Sequence, residues 1–276
     1  MNPQLMWHLY RSYFTTEFKS KVFFYLSIFT IIMIIVIKFL LDPVSQAISP
    51  ADEKSLAFGN FGVFYLLSGM WMDIIIVVFS LRSVKGDFDY KVTPQMLSLP
   101  CHRWEYYIAK ILGAWSFSGF FFLVMCLVGA TWISADQGIN VYSFKMLSAF
   151  SLTMLRSLTL VIMCSFASLF FSKLVTFASF VFFLPLQSYT NSYFRSNVLK
   201  DVAKDLGFFE TCGIILHNIF PRLGTIDVFA RDQLTRGFIK NPPIDMNFAV
   251  EVPHYLGLTL LILLLSLLVF QKRDII

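Results

Sequence analysis

Charge is scarce in this chain. Asp, Glu, Lys and Arg supply 14% of its 276 residues while 57% are hydrophobic, whereas soluble domains carry about a quarter charged residues. That deficit excludes an ordinary soluble fold and a disordered chain alike, and a mean hydropathy of +0.69 agrees with it. Cysteine is sparse as well. Cys101, Cys126, Cys164 and Cys212 are divided between two polar connections and two apolar runs, and form neither a disulfide framework nor a metal pattern. The four histidines, His8, His102, His217 and His254, are equally scattered, and no His-Glu-x-x-His stretch occurs. A Gly-x-Ser-x-Gly elbow is missing. So is the Gly-x-x-x-x-Gly-Lys-Ser/Thr loop that cradles nucleotide phosphates. No basic run suits nucleic acid, so the net charge of +5 must have another origin.

Long apolar runs are what the chain has instead. A helix needs about 20 mostly apolar residues to cross a bilayer. Six stretches qualify, near 22–41, 57–81, 106–132, 146–170, 174–190 and 253–270. The fourth and fifth are parted only by Phe171-Ser-Lys173, which predicts a tight hairpin, and Pro185 predicts a kink or an irregular end in the fifth. The period-two alternation of a membrane barrel is missing. The expectation is an all-α integral membrane protein: one membrane domain over residues 1–276 with six transmembrane helices.

Short-loop cations set the orientation. Arg11, Lys19, Lys21, Arg82, Lys85, Lys91, Arg103, Lys110, Lys173, Lys272 and Arg273 share one side; Lys54 and Lys145 stand among Asp42, Asp52, Glu53 and Asp136 on the other. Both termini and residues 86–105 are therefore expected in the cytoplasm, and 191–252 outside. Topology thus accounts for the net positive charge. The run from Val22 is too long for a signal peptide and lacks a small-residue cleavage site, so it reads as a retained span. Ahead of it, Leu5, Met6, Leu9, Tyr13 and Phe14 fall at helical spacing, predicting an interfacial helix over residues 1–21 or a simple anchor. Within 191–252, the stretch 206–220 is apolar but broken by Gly207, Glu210, Gly213 and His217, and Pro221 stops it. A re-entrant or interfacial segment fits, as does a partly ordered cap.

The charged interruption between the second and third runs is the richest segment. Thr93-Pro94 is a helix start, with a capping hydroxyl and proline at the first helical position. Pro100 disfavours helix at Leu99, so that first helix is short; Ser98 and Pro100 begin a second one carrying Arg103, Glu105 and Lys110. The short helix presents Met96, Leu97 and Leu99, a small apolar face suited to docking in a groove on a partner. An ordinary interfacial loop is the alternative.

Pro100-Cys-His-Arg103 with Lys110 seven residues on resembles the Pro-x-x-Arg…Lys signature that follows the second span of ABC-2 type transporter permeases. Asp87 and Asp89 stand for the family's acidic run and Met96-Leu97 for its paired leucines. Lys91-Val92 replaces its Gly-Thr pair. Phe270-Gln-Lys-Arg-Asp274 is similar to the family's closing motif, and Phe220-Pro-Arg-Leu-Gly-Thr-Ile-Asp227 resembles a proline-centred stretch before the last span. The resemblance covers essentially the whole chain. It implies a non-enzymatic transport subunit of a bacterial inner or plasma membrane, more often an exporter than an importer. Two copies of an ABC ATPase would bind ATP and Mg and hydrolyse the nucleotide, beside a second permease copy or homologue. This chain itself would hold no cofactor.

The same resemblance makes residues near 90–103 a coupling helix, with Asp87, Asp89, Thr93, Pro94, Met96, Leu97, Pro100 and Arg103 toward the ATPase. It also makes the region before the last span an external gate, with Phe208, Phe209, Ile214, Phe220 and Pro221. The Phe-rich spans suit an amphipathic or lipid-linked cargo, and suit contact with membrane lipids equally well.

Ionisable groups inside spans default to function. Asp73 and Arg156 lie within the second and fourth runs, and are expected to pair, within one chain or across two. The alternative leaves Asp73 facing a cavity and Arg156 reaching outward. Lys38, near the end of the first run, is placed to snorkel. Two other function classes stay open: a membrane scaffold that binds an ATPase without passing cargo, and an intramembrane lipid-modifying enzyme.

Overall fold

The computed structural model describes residues 3–47, 53–87, 102–193, 207–235 and 248–272, and all its regular structure is helical among them. The helices are α1 (Pro3–Phe18), α2 (Lys21–Ala47), α3 (Glu53–Leu81), α4 (Arg103–Gln137), α5 (Phe144–Phe170), α6 (Lys173–Tyr193), α7 (Phe208–Ile219), α8 (Leu223–Thr235) and α9 (Phe248–Lys272). Five apolar stretches are long enough to cross a membrane: Lys21–Leu41, Gly59–Gly86, Arg103–Gln137, Phe144–Phe170 and Val250–Lys272. The expected fifth span forms as α6 but is not among them. Its second half, from Gln187 through Ser188, Thr190, Asn191 and Ser192, is too polar. α6 runs through Pro185 as one helix.

The core lies where α3, α4 and α5 pack together. Phe61, Phe64, Phe79, Phe117 and Phe122 are fully buried there; Phe61 stacks with Phe64, Phe79 meets Phe117 edge-on, and Phe122 stacks with Phe150. α4 is the central strut. A methyl group added at Gly113 would stand 2.3 Å from the Tyr13 ring of α1, and one at Gly129 2.1 Å from the Phe64 ring of α3. Those two glycines are what let neighbouring helices approach. Gly138, at φ 64°, ends α4 in the left-handed region that glycine tolerates.

α2 and α9 border this core and leave their outer faces bare. Phe24, Phe29, Ile32, Phe39, Leu260 and Leu264 are all exposed. Apolar surface on that scale suits lipid or another membrane helix and no aqueous surface.

α1 lies across the end of the bundle that carries Arg82, Lys110 and Lys272, the basic end. Tyr13 is buried beneath it, and Phe14 packs edge-on against Phe117 at 4.8 Å. α1 is thus fastened to the bundle, and more than an anchor. At the opposite end, α7 and α8 form a helix–turn–helix around Phe220-Pro221-Arg222. α8 lies against α5, α3 and α6. Leu223, Ile226, Ala230 and Leu234, at three- and four-residue spacing, are its buried stripe.

The second helix of the charged interruption starts later than Ser98 and Pro100 implied. α4 begins at Arg103 behind an extended His102, whose backbone N–H donates to the Glu105 carboxylate at 3.3 Å. A side chain that satisfies an orphan N–H fixes a helix start more strongly than an upstream proline does.

Candidate functional site

Two clusters of polar side chains stand out, one inside the bundle and one at its basic end. Midway along α5, Arg156 donates through both terminal nitrogens to the two oxygens of Asp73 on α3, each at 2.7 Å. The pair forms within one chain. Both side chains are more than nine-tenths buried, and a two-point fork of this kind holds a carboxylate in a fixed plane. A third member was not among the sequence-derived candidates: Asp227 of α8, whose Oδ2 lies 3.2 Å from Arg156 Nε. That contact lacks hydrogen-bond alignment, so the buried Nε–H is left without an acceptor. One third of the Asp227 side chain is exposed.

Hydroxyl groups surround this cluster. Tyr65 of α3 meets Thr153, and Thr159 meets both Tyr255 and Thr259 of α9. The Tyr255 hydroxyl also lies 3.1 Å from the Leu155 carbonyl. Thr153, Arg156 and Thr159 are spaced by three residues and share one face of α5. The bundle therefore has a polar layer at about half its depth. The sequence analysis met Asp227 only as the end of the Phe220–Asp227 stretch and did not single it out as a charge, because α8 is short and mixed in charge, with Arg222, Arg231 and Asp232 nearby. The signal that marks it is the apolar stripe Leu223–Ile226–Ala230–Leu234.

At the basic end, α3 runs into a π-helical turn, Arg82–Gly86. Arg82 pairs with Glu17 of α1 at 3.1 Å, and the Ser83 hydroxyl donates to the Lys110 carbonyl at 2.9 Å. Asp87 accepts from Lys110 Nζ at 2.6 Å and from the Tyr106 hydroxyl. Lys110 also stands 5.0 Å above the Tyr13 ring. Burial, and then the Glu17 carboxylate, push the Tyr13 phenol well above its ordinary range, so it stays a neutral donor. Arg103 donates to the carbonyl of Gln271 at 2.9 Å, and Phe270 packs on the rings of Tyr106 and Tyr107. Two motifs far apart in the chain, Arg103–Lys110 and Phe270–Gln271, thus meet in space. Asp87 and Arg103, expected to face a partner, make these contacts within the chain. Asp89, Thr93, Pro94, Met96, Leu97 and Pro100 lie outside the described residues.

Of the residues expected at an external gate, Phe208 and Phe220 lie at opposite ends of α7. Phe208 is exposed at the start of α7; Phe220 is a helix length away, about 18 Å along the axis. Phe220 packs edge-on against Phe183 of α6, and Ile214 is half-buried. The Phe209 side chain is outside the described set. Pro221 is buried, its carbonyl accepting from Gln187 of α6. The turn is also tied to α9: Arg222 pairs with Glu251 at 2.8 Å, and a His254 ring nitrogen lies 3.1 Å from the Asn218 carbonyl. Lys38 places its ammonium 5.3 Å over the Trp132 ring.

No protein-family model matches the chain, and no match is found among curated proteins.

Proposed function

We propose that this chain is the permease subunit of an ABC-2 type exporter, driven by a separate pair of ATPase chains and working as a dimer in a bacterial inner or plasma membrane. The observation that carries the reading is the footing of residues 88–101. On one side Asp87 is held by Lys110 and Tyr106, and on the other Arg103 is bonded to the end of α9. A force applied to the segment between them enters α3, α4 and α9 together, and through Glu17–Arg82 it reaches α1. A docked element needs such a mount if it is to move helices as rigid bodies. The spacing of Pro100, Arg103 and Lys110 supports the family, and the five long apolar helices support a multi-pass membrane chain. The helix–turn–helix α7–α8, fastened to α6 and α9 at its turn, is the element best placed to open at the opposite end.

The test is co-purification of the full chain with ABC ATPase chains expressed in the same cells. Met96→Asp and Leu97→Asp should each abolish co-purification while the variants still enter the membrane. Undiminished binding in both would overturn the docking assignment. Reconstituted flux then separates a permease from a scaffold, which would hydrolyse ATP without passing cargo.

A further inference from the structure

Arg156 presents five N–H donors and keeps its charge even in the bundle interior. Asp73 takes two of them in its 2.7 Å fork. The Nε–H is left over, buried and off-axis to Asp227. The two carboxylates are held differently. Asp73 is 8% exposed on a long core helix, whereas Asp227 is 34% exposed on the thirteen-residue α8. Asp73 is the fixed partner, and Asp227 is the one a competitor can replace.

We propose that Arg156 is a binding site for an oxyanion, a phosphate or the phosphate headgroup of an amphiphile, and that Asp227 fills the site until that ligand displaces it. Arg156 with Asp73 is a neutral pair, so a singly charged anion that takes the place of the Asp227 carboxylate leaves the local charge unchanged. A tetrahedral oxyanion offers acceptors in several directions, and one of them can take the Nε–H that Asp227 reaches at a poor angle. The hydroxyls of Thr153 and Thr159, one turn to either side on the same helix face, are bonded to Tyr65 and to Tyr255 and Thr259, and they keep the wall of the site polar. The open side of Asp227 is the way in. Displacing it removes the charged contact between α8 and α5, while the buried stripe Leu223, Ile226, Ala230 and Leu234 still seats the helix. That the ligand is also what the protein carries would rest on the transport reading. The binding needs no ATPase.

The experiment is calorimetric titration of the purified full chain in neutral detergent, once with dodecyl phosphate and once with inorganic phosphate. Asp227→Asn should tighten binding about tenfold, the equivalent of removing one competing charge contact. The double variant Asp73→Asn/Arg156→Gln, which removes the buried fork as a neutral pair and leaves only the part-exposed Asp227 charged, should lose it. Lys19→Gln, at an exposed position, should change nothing. Tightening with both ligands marks a site that reads phosphate alone, and tightening with dodecyl phosphate only marks one that also needs the alkyl chain. Unchanged affinity in Asp227→Asn, or full binding by the double variant, overturns the proposal. A chain that shows the expected pattern yet never binds an ATPase refutes the permease reading and leaves this site standing.

Discussion

Arg156 and Asp73 show how the cost of a buried charge depends on its partner. Each drew attention in the sequence because it interrupts an apolar run, and the fork between them explains how both are tolerated. Removing one partner strands the other. Arg156→Gln should therefore cost roughly 3–5 kcal/mol, as an uncompensated buried carboxylate does. The double variant Asp73→Asn/Arg156→Gln should recover part of that loss, because neither side chain is then a charge left without its partner. Thermal unfolding midpoints of the three purified proteins measure the difference. Equal losses in single and double variants would mean that the two residues contribute independently. Asp227 could not be picked out the same way. In a stretch already holding Arg222, Arg231 and Asp232, one more acid carries no signal, and only a partner from another helix makes it notable.

At the scale of elements, hydropathy was enough to find the long helices, and spacing was needed to find α8. Among the described residues, the five helices long and apolar enough to cross a membrane are legible because a long run of apolar residues suits one structure in a bilayer. α8 is too short and too charged for that test, and its burial follows from four residues on one stripe meeting a groove that only the folded bundle supplies. The start of α4 was misplaced for a related reason: Pro100 marks where a helix is disfavoured, while the His102–Glu105 contact decides where one begins. Helix packing leaves a further trace in glycine. Gly129→Ala would thrust a methyl to 2.1 Å from a fully buried Phe64 ring that has Phe61 and Trp132 beside it. A loss of about 1–3 kcal/mol is expected from such overpacking. Gly59→Ala, where nothing stands within 4 Å of the new methyl, should be neutral or slightly stabilising through helix propensity. The two midpoints, measured side by side in the same detergent, decide whether close approach or helix propensity governs these positions.

Across the whole molecule, the basic end gathers α1, α3, α4 and α9 into one assembly, and this gives Arg103 a role that differs from docking. Its hydrogen bond to Gln271 is exposed, so it is worth about 1 kcal/mol, too little to decide whether the chain folds. It is enough to decide whether α9 follows α4 when the segment before it is pushed. Phe270, fully buried against Tyr106 and Tyr107, makes the same connection through packing. Met96 and Leu97 would then set whether an ATPase binds, and Arg103 and Phe270 whether its stroke is transmitted. Arg103→Ala should retain the ATPase in co-purification while lowering transport per ATP hydrolysed severalfold. Amide exchange near the end of α9 should speed up at the same time, with the middle of α5 unaffected. Phe270→Ala should do the same more strongly, since a buried aromatic truncated to alanine costs about 3–5 kcal/mol. If Arg103→Ala instead abolishes ATPase binding while exchange in α9 stays as it was, the arginine contacts the partner and the Gln271 bond is incidental.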